Sequence, residues 1–246
     1  TLQAAAEALV GLALTPTQLE QFEAYYRELV EWNRRVNLTA ITEPGEVVVK
    51  HFLDSLSCLL AFPPGACAGL ALLSSGGRAW SLMDVGSGAG FPGMPLKIAC
   101  PGLSLTCLDS VGKKTAFVRH LVRTLELDDV QVTTGRAEDV AHDPSHRERY
   151  DIVVSRAVAK LGVLAEYCLP FARIGGLFIA AKQEGIEAEI TAGRRAIDTL
   201  GGRLARTIPV QLPGVEGQRQ LLVIQKVKPT PAAYPRRAGV PAQRPL

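Results

Sequence analysis

Trp80-Ser81-Leu82-Met83-Asp84-Val85-Gly86-Ser87-Gly88-Ala89-Gly90-Phe91-Pro92-Gly93 is the stretch on which the reading of this chain turns. Leu82, Met83 and Val85 make a short apolar run of the kind a buried strand carries. It stops at a loop bearing Gly86, Gly88, Gly90 and Gly93. Glycine reaches positive φ and has no Cβ, so such a loop turns tightly and lets its backbone touch a ligand. Asp84 ends the strand. A carboxylate there suits a cation or hydroxyl donors better than a pyrophosphate.

Working outward, strand patterns fall at 81–85, 103–109, 130–133, 150–155 and 176–181, and helical ones at 93–99, 112–126, 160–172 and 185–200. Strands alternating with helices predict a parallel sheet covered on both faces. The order then changes: 203–212 and 218–227 read as two strands joined by Pro213-Gly214-Val215-Glu216-Gly217, a hairpin rather than another crossover. Upstream, Thr15-Pro16 opens a helix that runs to about Arg35. A second helical pattern spans about Glu46 to Leu60, and Pro63-Pro64-Gly65 and a connector ending at Gly76-Gly77 come after it. From Pro229 the prolines preclude regular structure. The expected organisation is a helical N-terminal extension (1–78), an α/β Rossmann-like domain (79–228) and a basic, Pro-rich tail (229–246).

Gly88-Ala-Gly90-Phe-Pro-Gly93 matches G-x-G-x-x-G, and Asp109 lies where a ribose-binding acid belongs, which fits a nicotinamide or flavin enzyme. Three details oppose that reading. The strand ends two residues before the match, Asp84 is electrostatically wrong for a pyrophosphate, and the sheet ends in a hairpin. All three fit S-adenosylmethionine, which has a sulfonium, an α-amino group and a ribose diol but no phosphate. The expected fold is therefore that of a class I S-adenosylmethionine-dependent methyltransferase. Asp84 lies near the cationic end of the cofactor, with Ser87 and Gly88 in the loop. Asp109 accepts from the ribose, and Arg136-Ala137-Glu138-Asp139 offers an acid and backbone groups to the adenine.

Composition removes other classes. No apolar stretch approaches the ~18 residues of a membrane span. No secretory signal pattern opens the chain, so a cytoplasmic protein is expected. The five cysteines lack a C-x-x-C pair and read as free, mostly buried thiols. The four histidines lack a metal-binding spacing, and His142 and His146 read as loop residues; no metal is expected. The first 75 residues hold eight acids against four bases, which leaves the remainder at +7. From Lys226 onward there are only bases, either a solvated end or a phosphate-binding tail.

The fourth strand ends Val153-Val154-Ser155-Arg156-Ala157-Val158, with neither an N-P-P-Y-type loop nor a cysteine nucleophile. An acceptor that already carries a lone pair fits such a site, and guanine N7 is one. Arg156 at that strand end suits a carboxylate, a phosphate or a base edge. An RNA-binding module without activity and a small-molecule methyltransferase are the other classes. The intact loop and acids oppose the first, and the basic tail opposes the second.

The chain resembles the bacterial 16S ribosomal RNA guanine-N7 methyltransferases, the glucose-inhibited division protein B family. The resemblance is carried by Trp32-Asn33 with Asn37-Leu38-Thr39, by His51 through Leu56 and by Asp84 through Pro95. It continues in Leu108-Asp109-Ser110 with Lys113-Lys114, Gly135 through Glu138, Ser155 through Ala159, and Tyr234-Pro235-Arg236-Arg237-Ala238-Gly239. It implies a cofactor surrounded by Gly86, Phe91, Asp109, Ser110, Val111, Ala137, Glu138 and Arg156, the last also the expected catalytic residue. It implies as substrate a guanine, position 527, of 16S rRNA, free or in the small subunit. Lys182 would face the same cleft, although Gln183 follows it where many relatives have Gly. Arg123, Lys113-Lys114, Lys228, Arg236 and Arg237 are expected phosphate contacts, and Tyr234 a stacking platform.

Overall fold

A computed structural model describes residues 1–67, 79–156, 159–183 and 185–246. Gly76-Gly77, the 78/79 boundary on its N-terminal side, and Ala157-Val158 lie outside the described residues. Among the described residues seven strands form one sheet: β1 (Ser81–Val85), β2 (Ser104–Asp109), β3 (Val130–Thr134), β4 (Tyr150–Ser155), β5 (Ala172–Gln183), β6 (Gly202–Val210) and β7 (Arg219–Lys226). Their order is β3-β2-β1-β4-β5-β7-β6. β1 pairs in parallel with both β2 and β4, so the strand order reverses at its C-terminal end, where crevices open in such sheets. β7 runs antiparallel to β5 and β6, which gives the expected hairpin.

The central strands are buried on both faces, and their side chains alternate between two cores. Leu82, Ile152 and Val154 face one, with Phe22, Tyr25, Phe52 and Phe117. Met83 and Val153 face the other, with Phe171 and Phe178. Crossover helices α4 (Gly93–Ala99), α5 (Gly112–Thr124), α6 (Ala137–Val140), α7 (Leu161–Cys168) and α8 (Glu187–Thr199) succeed the first five strands in turn, and one turn, α9 (Val240–Gln243), interrupts the tail.

Before the sheet come α1 (Leu2–Val10) and α2 (Pro16–Asn33). α1 was not expected: its alanine-rich sequence gives little periodic contrast, and it buries Ala6 fully. α2 starts at a capping box between Thr15 and Gln18, as the Thr-Pro signal implied. The expected second helix is a composite, α3: α-helix at Pro44–Val47, π-helix at Val48–Leu53, α-helix at Asp54–Leu56 and 3₁₀ at Ser57–Ala61. Such π segments concentrate at functional sites, and this one contains His51. Polar side chains of α2 tie it to the α/β domain. Gln18 Nε2 donates to Ile98 O at 2.8 Å, Gln21 Nε2 to Leu125 O at 2.9 Å, and the Tyr25 hydroxyl to Ala89 O at 2.6 Å.

The cysteine expectation needs correction. Cys58, Cys107 and Cys168 are free and buried, but Cys67 and Cys100 form a disulfide with Cα atoms 4.8 Å apart. The segment after Pro63-Pro64 returns to the end of α4, a proximity that a 33-residue separation does not announce. The tail is not a solvated end either, since Thr230, Pro235 and Pro241 are buried.

Tyr25 sets the space available to the glycine loop. Gly90 has φ +95°, and a Cβ there would meet Met94 Cγ at 2.7 Å and Tyr25 Oη at 2.8 Å. Gly90→Ala is expected to cost about 2–4 kcal/mol, from strain and overpacking together. Tyr25→Phe, which leaves the Ala89 carbonyl unpaired, is expected to cost about 1–2 kcal/mol. Urea unfolding midpoints check both; an unchanged Gly90→Ala midpoint would mean that the loop is loosely seated.

Candidate active site

The glycine loop leaves β1 by folding back over β2. Gly86 and Ser87 N–H both donate to Leu108 O, and Gly90 and Phe91 N–H donate to Ser87 O. Gly86 has φ +76° and Gly88 +57°; a Cβ on either would meet no side chain within 4 Å. These two present bare backbone to open space, whereas Gly90 and Gly93 are closely packed. Gly93 faces Asp84, whose Oδ2 would lie 2.8 Å from an added Cβ.

Asp84 is fully buried, and its Oδ2 accepts from Gly93 N–H at 2.8 Å. Burial pushes its carboxyl up to about 7; the Gly93 hydrogen bond and then the Arg156 charge act the other way, and Asp109 adds to the rise. Among the described residues Asp84 Oδ1 and Ser87 Oγ are buried without hydrogen-bond partners. A loop with an open backbone face and an unspent acid oxygen fits a ligand that carries positive charge beside a nucleoside.

Asp109 ends β2 and is committed to backbone: Oδ2 accepts from Gly88 N–H and Oδ1 from Val111 N–H, each at 2.8 Å. It thus braces the glycine loop against the turn into α5. Gly86, Asp109, Ser110, Ala137 and Glu138 come together, with Tyr167, around a cleft of about 180 Å³. Val111 stands nearly half exposed, while Glu138 is buried and accepts from Gly239 N–H of the tail at 2.9 Å. Tyr167 was missed by the sequence reading. Burial raises its phenol pKa first, and the facing Glu138 carboxylate adds to the rise.

Arg156 begins a second cleft of about 520 Å³, lined also by Lys50, His51, Asp54, Lys182 and Arg219. Since Ser155 lines the first cleft and Arg156 the second, the end of β4 separates them. The guanidinium lies 5.0 Å from the Phe91 ring centroid, a cation–π distance. Its NH1 donates to Asp54 Oδ2 at 3.0 Å and to Lys50 O at 2.9 Å. NH2 meets His51 Nδ1 at 3.2 Å. Arginine only donates, so His51 Nδ1 is unprotonated and its Nε2–H donates to Thr39 Oγ1 at 2.8 Å. Burial, and secondly Arg156, lower the His51 pKa to about 4, which agrees with this neutral tautomer. The imidazole also stacks on Phe91 with centroids 4.4 Å apart. Thr39 in turn is placed by Asn33, whose Oδ1 accepts from Leu38 and Thr39 N–H while Nδ2 donates to Thr39 O at 2.9 Å. Asn33, Thr39, His51 and Asp54 stand in the quoted N-terminal motifs, but nothing in their spacing pointed to Arg156.

The expected RNA contacts are dispersed. Lys182 lines the second cleft, but its ammonium pairs with Glu189 at 2.5 Å. Arg123 is exposed at the end of α5, a helix without acids that packs on the first core. Tyr234 packs against the second core, on the opposite face of the sheet. Arg237 is exposed, whereas Arg236 is spent on Glu166, with NH2 to Oε2 at 2.6 Å. The structure therefore does not gather Arg123 and the tail into one surface. His142 and His146 bond to Pro235 O and the Tyr150 hydroxyl. Among the described residues no group of three or more His, Cys, Asp or Glu could hold a metal ion. No described helix is long and apolar enough to cross a membrane.

This sheet, with its reversal at β1, antiparallel β7 and open glycine loop between two acids, is that of a class I S-adenosylmethionine-dependent methyltransferase. Solved structures share the fold alone. A chain of the complex between the Haloferax volcanii Trm112 methyltransferase activator and the putative methyltransferase superposes with TM-score 0.56 at 16% identity, covering 82% of this chain and 98% of that one. A putative O-methyltransferase from Klebsiella pneumoniae gives 0.52 at 13% identity, covering 87% and 91%. The family model of rRNA small subunit methyltransferase G matches residues 18–221, and the chain belongs to that family. Ribosomal RNA small subunit methyltransferase G of Roseiflexus castenholzii is 52% identical over 236 residues, 96% of this chain and 95% of its own length. The Pelotomaculum thermopropionicum relative is 49% identical, covering 96% and 94%.

Thr39→Val removes the acceptor of His51 Nε2–H and so loosens the imidazole under Arg156. It is expected to lower kcat/KM for methyl transfer roughly 10- to 100-fold, as small misplacements do, while the urea midpoint shifts modestly. Unaltered kinetics in this variant would detach the N-terminal network from the site.

Proposed function

We propose that this chain methylates N7 of one guanine of 16S ribosomal RNA, position 527, using S-adenosylmethionine in the cytoplasm, with rRNA or the small subunit as its partner. The observation that carries the choice of atom is the absence of a free base among the described groups of the second cleft. His51 has both nitrogens engaged, and Asp54 is shared by Arg156 and Arg219. Lys50 pairs with Glu46, and Lys182 with Glu189. Cys168 is buried, and burial lifts its thiol well above the ordinary range, so no thiolate is offered. Such a site suits an acceptor whose lone pair is already available, and guanine N7 needs no deprotonation.

S-adenosylmethionine supplies an electrophilic methyl group on a sulfonium. The residues suited to hold it are Gly86, Asp109, Ser110, Ala137 and Glu138 along the first cleft, with Ser87, Gly88 and Val111 in the adjoining loops and Asp84 beneath its cationic end. Arg156, held over the Phe91 ring, stands at the end of β4 where the two clefts adjoin and the reactants would meet. Arg156, fixed from three sides, orients the acceptor; catalysis rests on alignment and exclusion of water. Lys113, Lys114 and Arg123 on α5 are suited to phosphates, and the N-terminal helices, as the 1–78 extension, to shaping the acceptor cleft.

The test is transfer of labelled methyl to small subunits from a strain lacking this activity, mapped by cleavage at 7-methylguanine. One modified guanine is expected, with the rate lowered at least about 100-fold in Arg156→Ala. Transfer without cleavage at 7-methylguanine would overturn the assigned atom.

Asp84 gives a second readout. With its carboxyl held at about 7, it is largely protonated at pH 6 and must ionise to face a cation. Cofactor affinity is therefore expected to rise from pH 6 to 8, with release of about half a proton at pH 7. The sign for stability is opposite: a raised acid pKa favours the fold at low pH, an advantage lost as pH climbs from the ordinary carboxylate range towards 7. Calorimetry in buffers of different ionisation heat measures the released proton. Asp84→Asn should abolish the release; release unchanged in that variant would assign it elsewhere.

A further inference from the structure

The basic tail reads as an RNA-binding arm, yet its contacts point inward. Arg236 surrounds Glu166: its backbone N–H donates to Oε1 at 2.8 Å, its Nε to Oε1 at 2.9 Å and its NH2 to Oε2 at 2.6 Å. Glu166 is fully buried, so turning this guanidinium towards a phosphate would leave an unpaired interior carboxylate. Three residues further on, Gly239 N–H donates to Glu138. Arg147 holds the start of the segment, donating to Tyr234 O and Thr230 O at 2.9 Å each, and His142 Nε2 meets Pro235 O at 2.8 Å. Glu148 accepts from Thr230 N–H at 2.7 Å and pairs with the buried Lys226 at 3.0 Å.

Two of these anchors belong to elements that wall the first cleft. Glu138 lies on α6 and lines it; Glu166 lies on α7 and directly precedes Tyr167, which also lines it. The tail thus bonds both walls at once. The family model stops at residue 221, while the Roseiflexus castenholzii relative matches 236 of the 246 residues, a span that cannot end before the tail has begun.

We propose that Thr230–Gly239 is an intramolecular clasp that positions Glu138 and Tyr167 against the cofactor, with Arg236 as its pin and not an RNA contact. The inference rests on the proposed placement of the cofactor in the first cleft. Arg236 and Gly239 act through Glu166 and Glu138 and are positioning residues.

The experiment uses the full chain as wild type, Arg236→Ala, the double variant Glu166→Gln/Arg236→Gln and the exposed control Arg244→Ala. Binding of S-adenosylmethionine is measured by calorimetry, and binding of a 16S rRNA fragment as a function of salt. Arg236→Ala should weaken the cofactor about tenfold, raising its KM while kcat at saturation stays within about twofold. Its slope of log affinity for RNA against log salt should match wild type. The double variant, with no buried charge left unpaired, should recover most of the cofactor affinity, and Arg244→Ala should bind cofactor as wild type does. Unchanged cofactor affinity in Arg236→Ala overturns the clasp, and an RNA slope shallower by about 0.7–0.9 would make Arg236 a phosphate contact instead. If Arg236→Ala does not fold, a double variant that folds but binds cofactor tenfold more weakly than wild type equally overturns it. Failure of the wild type to bind S-adenosylmethionine would instead remove the cofactor reading, and the clasp with it.

Discussion

Gly88 and Gly93 of the glycine loop each give their N–H to an aspartate side chain 2.8 Å away, Gly88 to Asp109 and Gly93 to Asp84. These two bonds tie the loop backbone down at two points, and the Phe91 ring, stacked on Tyr25 and His51, anchors it by its side chain. β1 lies between β2 and β4, so the loop has one acid beneath it and one beside it. Tyr25 closes the third side by donating to Ala89 O. Both clefts inherit their shape from this arrangement: Gly86 lines the first, and Arg156 and His51, which line the second, lie against the Phe91 ring.

The same two acids show how one residue type takes two roles. Asp109 spends both oxygens on backbone N–H groups, whereas Asp84 keeps one oxygen without a partner in the interior. Desolvation then raises the Asp84 carboxyl to about 7, a cost that a bound cation would offset. A site that is uncomfortable when empty has reason to select a positively charged ligand.

The sheet, the hairpin and the glycine loop were legible because each rests on local pattern: period-two burial, turn residues and glycine at positive φ. Asp109 was legible in position but not in its partners, since an acid at a strand end bonds loop and ligand with the same oxygens. α1 was hidden by its alanines, and the π segment by a hydrophobic pattern that still read as one helix. Arg156 was visible as a strand-end cation, whereas its support from Asn33, Thr39, His51 and Asp54 spans more than 100 residues and has no periodicity. The tail is ambiguous in the sequence for a related reason: a run of bases looks the same whether its partners are phosphates or the buried Glu166.

These long-range supports make sense once the chemistry is considered. With no proton to move in the proposed step, no general base supplies its usual 10²–10⁴-fold, and the rate depends on how well two reactants are aligned. A single polar tether such as Asn33 to Thr39 contributes only about 1 kcal/mol to stability. A misplacement of about 1 Å at the reacting centre can cost 100-fold in rate, about 2.7 kcal/mol. The tethers through α2, α3 and the 33–39 turn therefore weigh more in the barrier than in the fold. That difference is why substitutions far from either cleft are expected to leave a folded protein that transfers methyl groups slowly.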